Sequence, residues 1–235
     1  MTERPAAPAC NRLLAALPPA EYARLSPHLE TVALTLAQTL YAPDEPIAHV
    51  YFPTEGVVSL LQYDVDGTPV EVATVGNEGM VGLPVFLGLE STPGRAMVQV
   101  VGAGQRIPAD AFRREVGAET PLHDLLHRYT QALMVQMAQG TACNRLHPVA
   151  VRCARWLAMT RDRVRHDEFE LTQEFLAKML GTRRAAVSEA AGTLQEAGLI
   201  RYARGVITVL DRAGLEAAAC ACYGIIRAQY EQALG

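Results

Sequence analysis

The chain has 235 residues, 50% hydrophobic and 20% charged, with a formal net charge of −4 at pH 7. That composition supports one large or two modest globular cores and excludes a disordered chain. No run of about 18 uncharged apolar residues occurs, and no apolar segment follows a basic start, so neither a membrane span nor a secretory leader is expected; the cytoplasm is the expected compartment.

The charge is unevenly placed. Residues 1–145 hold 9 Lys/Arg and 15 Asp/Glu, a balance of −6, whereas residues 146–235 hold 12 and 10, a balance of +2. A basic face belongs in the second half. The five cysteines (Cys10, Cys143, Cys153, Cys220 and Cys222) form no CxxC pair, so neither a disulfide framework nor a structural zinc site is expected. On one helix, Cys220 and Cys222 would point apart. All five read as reduced, structural thiols.

In chain order, residues 11–30 read as two short helices around Pro18-Pro19. From 31 to 110, short runs rich in Val, Ile, Leu and Thr alternate with turn residues, the signature of an antiparallel sandwich or β-roll. Gly56–Tyr63 and Pro69–Val75 are predicted strands joined by Asp64-Val65-Asp66-Gly67. Arg95–Val101 is another. Gly76-Asn77-Glu78-Gly79, Thr92-Pro93-Gly94 and Gly102-Ala103-Gly104 are predicted turns.

Asp110–Val116 reads as a short helix. From Pro121 a long one begins, with Leu122, Leu126, Tyr129, Leu133, Gln136 and Gly140 in steps of four and three and Met137 beside them. The stripe fits an amphipathic helix packed on its own domain or a dimerisation helix with Gly140 at a close crossing. Pro148 opens the next helix, which runs to about Val164. Asp162-Arg163-Val164-Arg165-His166-Asp167 reads as a charged connector.

Residues 171–200 carry the chemistry. Thr172 can cap a helix whose apolar face is Phe175, Leu176, Met179 and Leu180, ended by Gly181. Thr182 can cap a second helix, buried through Ala186, Val187, Ala190, Ala191 and Leu194 and ended by Gly198. Two short helices joined by a tight glycine turn make a helix-turn-helix. The exposed start of the second helix carries Thr182, Arg183, Arg184, Ala185, Ser188 and Glu189, the polar set that major-groove reading needs. Leu199–Tyr202 and Val206–Val209 then flank Ala203-Arg204-Gly205, a wing whose tip arginine can touch phosphate.

At these residues the chain resembles the Crp-Fnr family of transcription regulators. The resemblance rests on Leu171-Thr172-Gln173-Glu174, Ala177-x-x-Leu180-Gly181, Arg184-x-x-Val187-Ser188, Leu194, Gly198-Leu199-Ile200 and Arg204-Gly205-x-Ile207. In the first half, Tyr51-Phe52-Pro53, Gly56, Gly76-x-Glu78-Gly79 and Val81-Gly82 carry it. It implies an α+β fold in three parts: a jelly-roll-like antiparallel β-roll at 1–117 related to cyclic-nucleotide-binding domains, a dimerisation helix at 118–146, and a winged helix-turn-helix at 147–235. It further implies a homodimer on a palindromic operator, seamed through Leu122, Leu126, Tyr129, Leu133, Gln136, Met137 and Gly140, with RNA polymerase as a partner. DNA contact falls to Thr172, Gln173, Thr182, Arg183, Arg184, Ser188, Glu189 and Arg204.

Two departures bear on specificity. Cyclic-nucleotide binders of this kind place Gly-Glu and later Arg-Ser or Arg-Thr around a phosphate. Here Gly82 is followed by Leu83 and Arg95 by Ala96, which argues against cyclic AMP as the effector. Well-known members read Arg-Glu-x-x-x-x-Arg in the recognition helix. Here Arg184-Ala185 precedes Glu189, so a different operator is expected. Cys10 stands alone, so no iron–sulfur cluster is expected. The effector is open, and a ligand-independent regulator is the second reading. A cupin-like metal enzyme would need an H-x-H pair among the strands, and only His49 is there. His28, His49, His123, His127, His147 and His166 read as surface or capping residues; no metal site and no catalytic residue is expected.

Overall fold

A computed structural model describes residues 11–235 of the chain. Cys10 lies outside the described residues. Two short helices, α1 (Arg12–Ala15) and α2 (Pro19–Leu25), come first, split by Pro18-Pro19 as predicted. Asn11 fastens this end: its side-chain oxygen caps α1 by accepting from Leu14 N at 3.0 Å. Its amide donates to Pro53 O and Gly79 O, both at 2.8 Å.

The β-roll follows. Its strands β1 (Glu30–Leu34), β2 (Thr39–Tyr41), β3 (His49–Tyr63), β4 (Pro69–Val75) and β5 (Arg95–Pro108) pair antiparallel in the order β1-β5-β3-β4, with β2 also on β5. The β3–β4 hairpin turns over Asp64–Thr68 as the sequence predicts, with Asp64 Oδ1 accepting from Asp66 N and Thr68 N. A short helix α3 (Leu83–Phe86) lies between β4 and β5.

One predicted turn is wrong. Gly102-Ala103-Gly104 lies inside β5, paired with β1 on one side and β3 on the other. There β3 bulges through Pro53–Val57 around Gly56, whose φ is +88°. A Cβ on Gly102 would collide with the Glu55 carbonyl, so the glycine serves close strand approach instead of chain reversal.

Helix α4 (Ala109–Glu115) leads into α5 (Pro121–Leu146), and α6 (Val149–Val164) starts after Pro148. Then come β6 (Glu168–Glu170), α7 (Gln173–Met179), α8 (Arg184–Glu196), β7 (Ile200–Ala203), β8 (Val206–Val209), α9 (Arg212–Ala218) and α10 (Cys222–Leu234). A second antiparallel sheet has the order β6-β8-β7. Among the described residues, no helix is long and apolar enough to cross a membrane.

The stripe predicted for a dimer seam is buried by the chain itself. Leu122, Leu126, Tyr129, Leu133 and Gln136 are all buried. The Tyr129 hydroxyl donates to Met80 O at 3.0 Å, and Gln136 donates to Thr74 O at 2.9 Å. Met137 and Gly140 border a cavity of about 440 Å³ against β4, α6 and α7. Periodicity showed that this face is buried but not by what. The β-roll and α10 cover it, so a second copy has no access to the five buried positions.

The charged connector is also corrected. Asp162, Arg163 and Val164 complete α6, and Arg165 ends it in the left-handed conformation at φ +62°. Arg163 is buried. Its Nε lies 2.8 Å from Glu78 Oε1, and it donates to Thr74 Oγ1 and, at 3.0 Å, to Gln136 Oε1. Tyr230 of α10 donates to the same Gln136 oxygen at 3.0 Å. Four elements therefore meet on one guanidinium: the 76–79 turn, β4, α5 and α6. Gly76 permits it, since a Cβ there would strike the Arg163 side chain.

Candidate nucleic-acid interface

The local chemistry of residues 171–209 produces the expected architecture. Thr172 caps α7, its hydroxyl accepting from Phe175 N at 3.2 Å. Leu176, Met179 and Leu180 are buried, and Gly181 turns the chain at φ +57°. Val187, Ala190, Ala191 and Leu194 bury one side of α8. Gly198 ends it at φ +71°. The small side chains at Ala190 and Ala191 allow α8 to lie close on α6 and α7.

One cap is misplaced in the sequence reading. Thr182 does not cap α8; Arg183 is the N-cap, in extended geometry, and makes no side-chain cap bond. The N–H groups of Arg184 and Ala185 therefore keep free donors beside two guanidiniums, while Ala186 N already donates to Arg183 O at 3.0 Å; the local field suits phosphate.

Arg183, Arg184, Ser188 and Glu189 are exposed. Ser188 donates to Gln173 Oε1 at 2.8 Å, so α7 and α8 present one joined polar edge. The wing turns over Arg204-Gly205, both at positive φ (+52° and +79°), the two-residue geometry that suits a tight antiparallel hairpin. Its third strand, β6, leaves no cue in the sequence, because Glu168-Phe169-Glu170 is too short to show a period. Tyr202 pins the wing to the start of α7 through its hydroxyl, 2.6 Å from Leu171 O. Thr172, Gln173, Glu174, Arg184, Tyr202 and Arg204 line one open groove of about 520 Å³, with Glu174 paired to Lys178 at 3.1 Å. Among the described residues, Arg183, Arg184 and Arg204 form no salt bridge.

The four positions of the expected effector cassette give a different picture. Gly82 caps α3 in the left-handed conformation, φ +101°, and packs on Val50. Leu83 is half-buried, and Ala96 is fully buried opposite Leu60 and Tyr41. Arg95 lies over the Tyr63 ring, 5.3 Å from its centroid, with its Nε buried and unpartnered. Leu83 and Ala96 bring neither carboxylate nor hydroxyl to this region.

The sequence reading missed a buried carboxyl. Glu71 joins the β-roll to α6: its Oε2 accepts from Ser59 at 2.7 Å and its Oε1 from Trp156 at 3.0 Å. Burial pushes its pKa up to about 7, against the opposing hydrogen bonds from Ser59 and Trp156. An alternating strand gives no cue that a helix will close over its outer face.

The sequence also missed the free face of α5. Asp124, His127, Gln131, Met134, Ala138, Thr141 and Arg145 are exposed in steps of three and four. Met134 is 60% exposed. The stripe is mostly polar, so apolar periodicity could not find it.

Comparison with known proteins adds to this geometry. Residues 151–218 match the family described as the Crp-like helix-turn-helix domain. A comparison with curated proteins finds no match. Among solved structures, FixK2 from Bradyrhizobium japonicum has 17% identity and a TM-score of 0.65, over 82% of this chain and 98% of that one. A transcriptional regulator of the CRP family from Thermus thermophilus has 20% identity and a TM-score of 0.63, over 80% and 96%. The c-di-GMP responsive global regulator CLP of Xanthomonas campestris has 14% identity and a TM-score of 0.61, over 82% and 99%.

Proposed function

We propose that the protein, whose residues 151–218 match the Crp-like helix-turn-helix domain and whose fold is similar to that of solved Crp/Fnr transcription regulators, is a sequence-specific regulator that acts on double-stranded DNA as a homodimer. The observation that carries this is the shared groove: Arg184 at the start of α8 and Arg204 at the wing tip open onto one exposed surface, and the carboxylate that lines it, Glu174, is paired with Lys178. Arg184 enters the major groove and reads a guanine edge, while Arg204 grips the backbone. Thr172, Gln173, Thr182, Arg183, Ser188 and Glu189 complete the contact.

The second copy docks on the outer stripe of α5, from Asp124 to Arg145, because the inner stripe is already covered. Two recognition helices then lie about 34 Å apart, one DNA turn, and call for a palindromic operator. RNA polymerase is the expected protein partner and the cytoplasm the expected compartment. The effector, where there is one, is not cyclic AMP: only Arg95 of the cassette can meet an anion. The same deficit supports a ligand-independent regulator as the second reading. Calorimetry with cyclic mono- and dinucleotides separates the two, since a nucleotide that tightens operator binding rules out the second.

The test selects bound fragments from random DNA and measures affinity by fluorescence anisotropy across salt concentrations. Arg184→Ala should lose about 1–3 kcal/mol of discrimination at one base position. Arg204→Ala should weaken all sequences alike and lower the salt slope by about 1. Wild-type affinity and selectivity in both variants would refute the docking.

A further inference from the structure

Four metal-binding side chains lie outside the groove and the β-roll. Cys143 is on the last turn of α5, and His147 is the residue that ends α5, one position before Pro148 and α6. Cys220 lies between α9 and α10, and Cys222 is the first residue of α10. Cys143 Sγ lies 3.5 Å from Cys220 Sγ, and Cys222 Sγ lies 3.8 Å from His147 Nδ1. All four donor atoms lie within 4.8 Å of one another. The three cysteines are buried.

From sequence, Cys220 and Cys222 form a poor chelate, because on one helix they would point apart. That premise fails here. The chain is extended at Ala219, and α10 begins only at Cys222, so both sulfurs turn toward the end of α5. Cys143 and His147 are four apart along the final turn and so share a face.

We infer that Cys143, His147, Cys220 and Cys222 form a closed, four-coordinate zinc site that staples the α5–α6 hinge to the C-terminal helix. A zinc tetrahedron with metal–sulfur bonds of about 2.3 Å has ligand–ligand edges near 3.8 Å, close to the separations found. Three thiolates and one neutral imidazole around a divalent cation leave a net charge of −1. Arg152 and Arg155 supply the balance: both are buried, the Nε of each has no partner, and neither forms a salt bridge among the described residues. Arg152 donates to Leu180 O, and Arg155 donates to Met159 Sδ at 3.3 Å. Two buried guanidiniums without a salt-bridge partner, both acting on Cys143, fit an anionic metal centre better than four neutral side chains. The donor set selects a thiolate-preferring ion of the zinc type over magnesium or calcium. Binding releases the thiol protons as the three metal–sulfur bonds form, and no oxidant or reductant takes part.

The test uses the full chain without a histidine tag, reduced, incubated with zinc sulfate and desalted into metal-free buffer. One zinc per chain is expected by elemental analysis. Loading with cobalt(II) instead should give a thiolate-to-cobalt charge-transfer band and the intense visible bands of a tetrahedral ion. Cys222→Ser and His147→Gln should each lose the bound zinc to background or change the cobalt spectrum. Cys153→Ala, in a separate part of the core, should keep both. Because a ligand variant can misfold, zinc should also protect Cys143, Cys220 and Cys222 of the wild-type protein from alkylation, read by peptide mass spectrometry. Overturning results are wild-type protein with no retained zinc and no tetrahedral cobalt bands, zinc retained in full by folded Cys222→Ser, or a Cys143–Cys220 disulfide that accounts for the pair without metal.

Discussion

The Arg163–Glu78 pair offers the sharpest test of how the two halves of the chain are held. Both side chains are 6% exposed, at 2.8 Å. Arg163→Met keeps most of the stem but removes the charge, leaving the Glu78 carboxylate buried, with Oε2 already unpartnered and only the Gly76 N–H, 3.2 Å away, donating to Oε1. Removing one member of a buried pair costs about 3–5 kcal/mol, mostly from the charge left behind. Glu78→Gln strands the guanidinium less completely, because Thr74 and Gln136 still accept from it, and should cost about 2–3 kcal/mol. The double variant Arg163→Met/Glu78→Gln removes both charges, so its loss should fall short of the sum by about 1–3 kcal/mol. The assay is guanidinium unfolding at 25 °C with two probes, far-ultraviolet circular dichroism and the fluorescence of Trp156, the single tryptophan. Coincident transitions allow free energies to be compared. Additive losses, or a cost for Arg163→Met below about 1 kcal/mol, would refute the reasoning.

Further outcomes follow from the same structure. Glu71 has a folded pKa of about 7 against an ordinary 4.5, so the native state holds a proton that the unfolded state releases. Stability is therefore highest below pH 4.5 as far as this group is concerned, and falls as pH rises to about 7. The full loss is at most about 3–4 kcal/mol, an upper bound because the residue borders the 440 Å³ cavity, which water can enter. Glu71→Gln should flatten that dependence between pH 5 and 8 in urea titrations; an unchanged slope would assign it elsewhere. Ala138→Glu with Met134→Glu, on the exposed face of α5, should give monomers by sedimentation and weaken operator binding without lowering thermal stability, whereas an intact dimer would place the seam elsewhere. Gly102→Val should destabilise by about 1–3 kcal/mol in the same unfolding assay, because β3 and β5 cannot separate to admit the side chain.

The sequence alone determined the order of the elements and which polar residues the helix-turn-helix exposes. Helix-turn-helix and wing were legible because their signals are local: Gly181 and Gly198 at left-handed stops, Thr172 as a cap, apolar residues at helical spacing, and Arg204-Gly205 between two strands. Exposed residues such as Arg184 and Ser188 need no distant partner, so their place on α8 follows from the helix period. Tertiary structure decided every question of what lies opposite. Apolar spacing marked Leu122, Leu126, Tyr129 and Leu133 as buried, yet one buried face looks the same whether a second chain or the β-roll covers it. Arg163 reads as solvated until Glu78, 85 positions away, meets it. Cys143 and Cys220 are 77 positions apart and come together because α10 folds back along α5. Charge pairs and ligand clusters depend on through-space distance across a long chain, and residue order carries no direct trace of that distance.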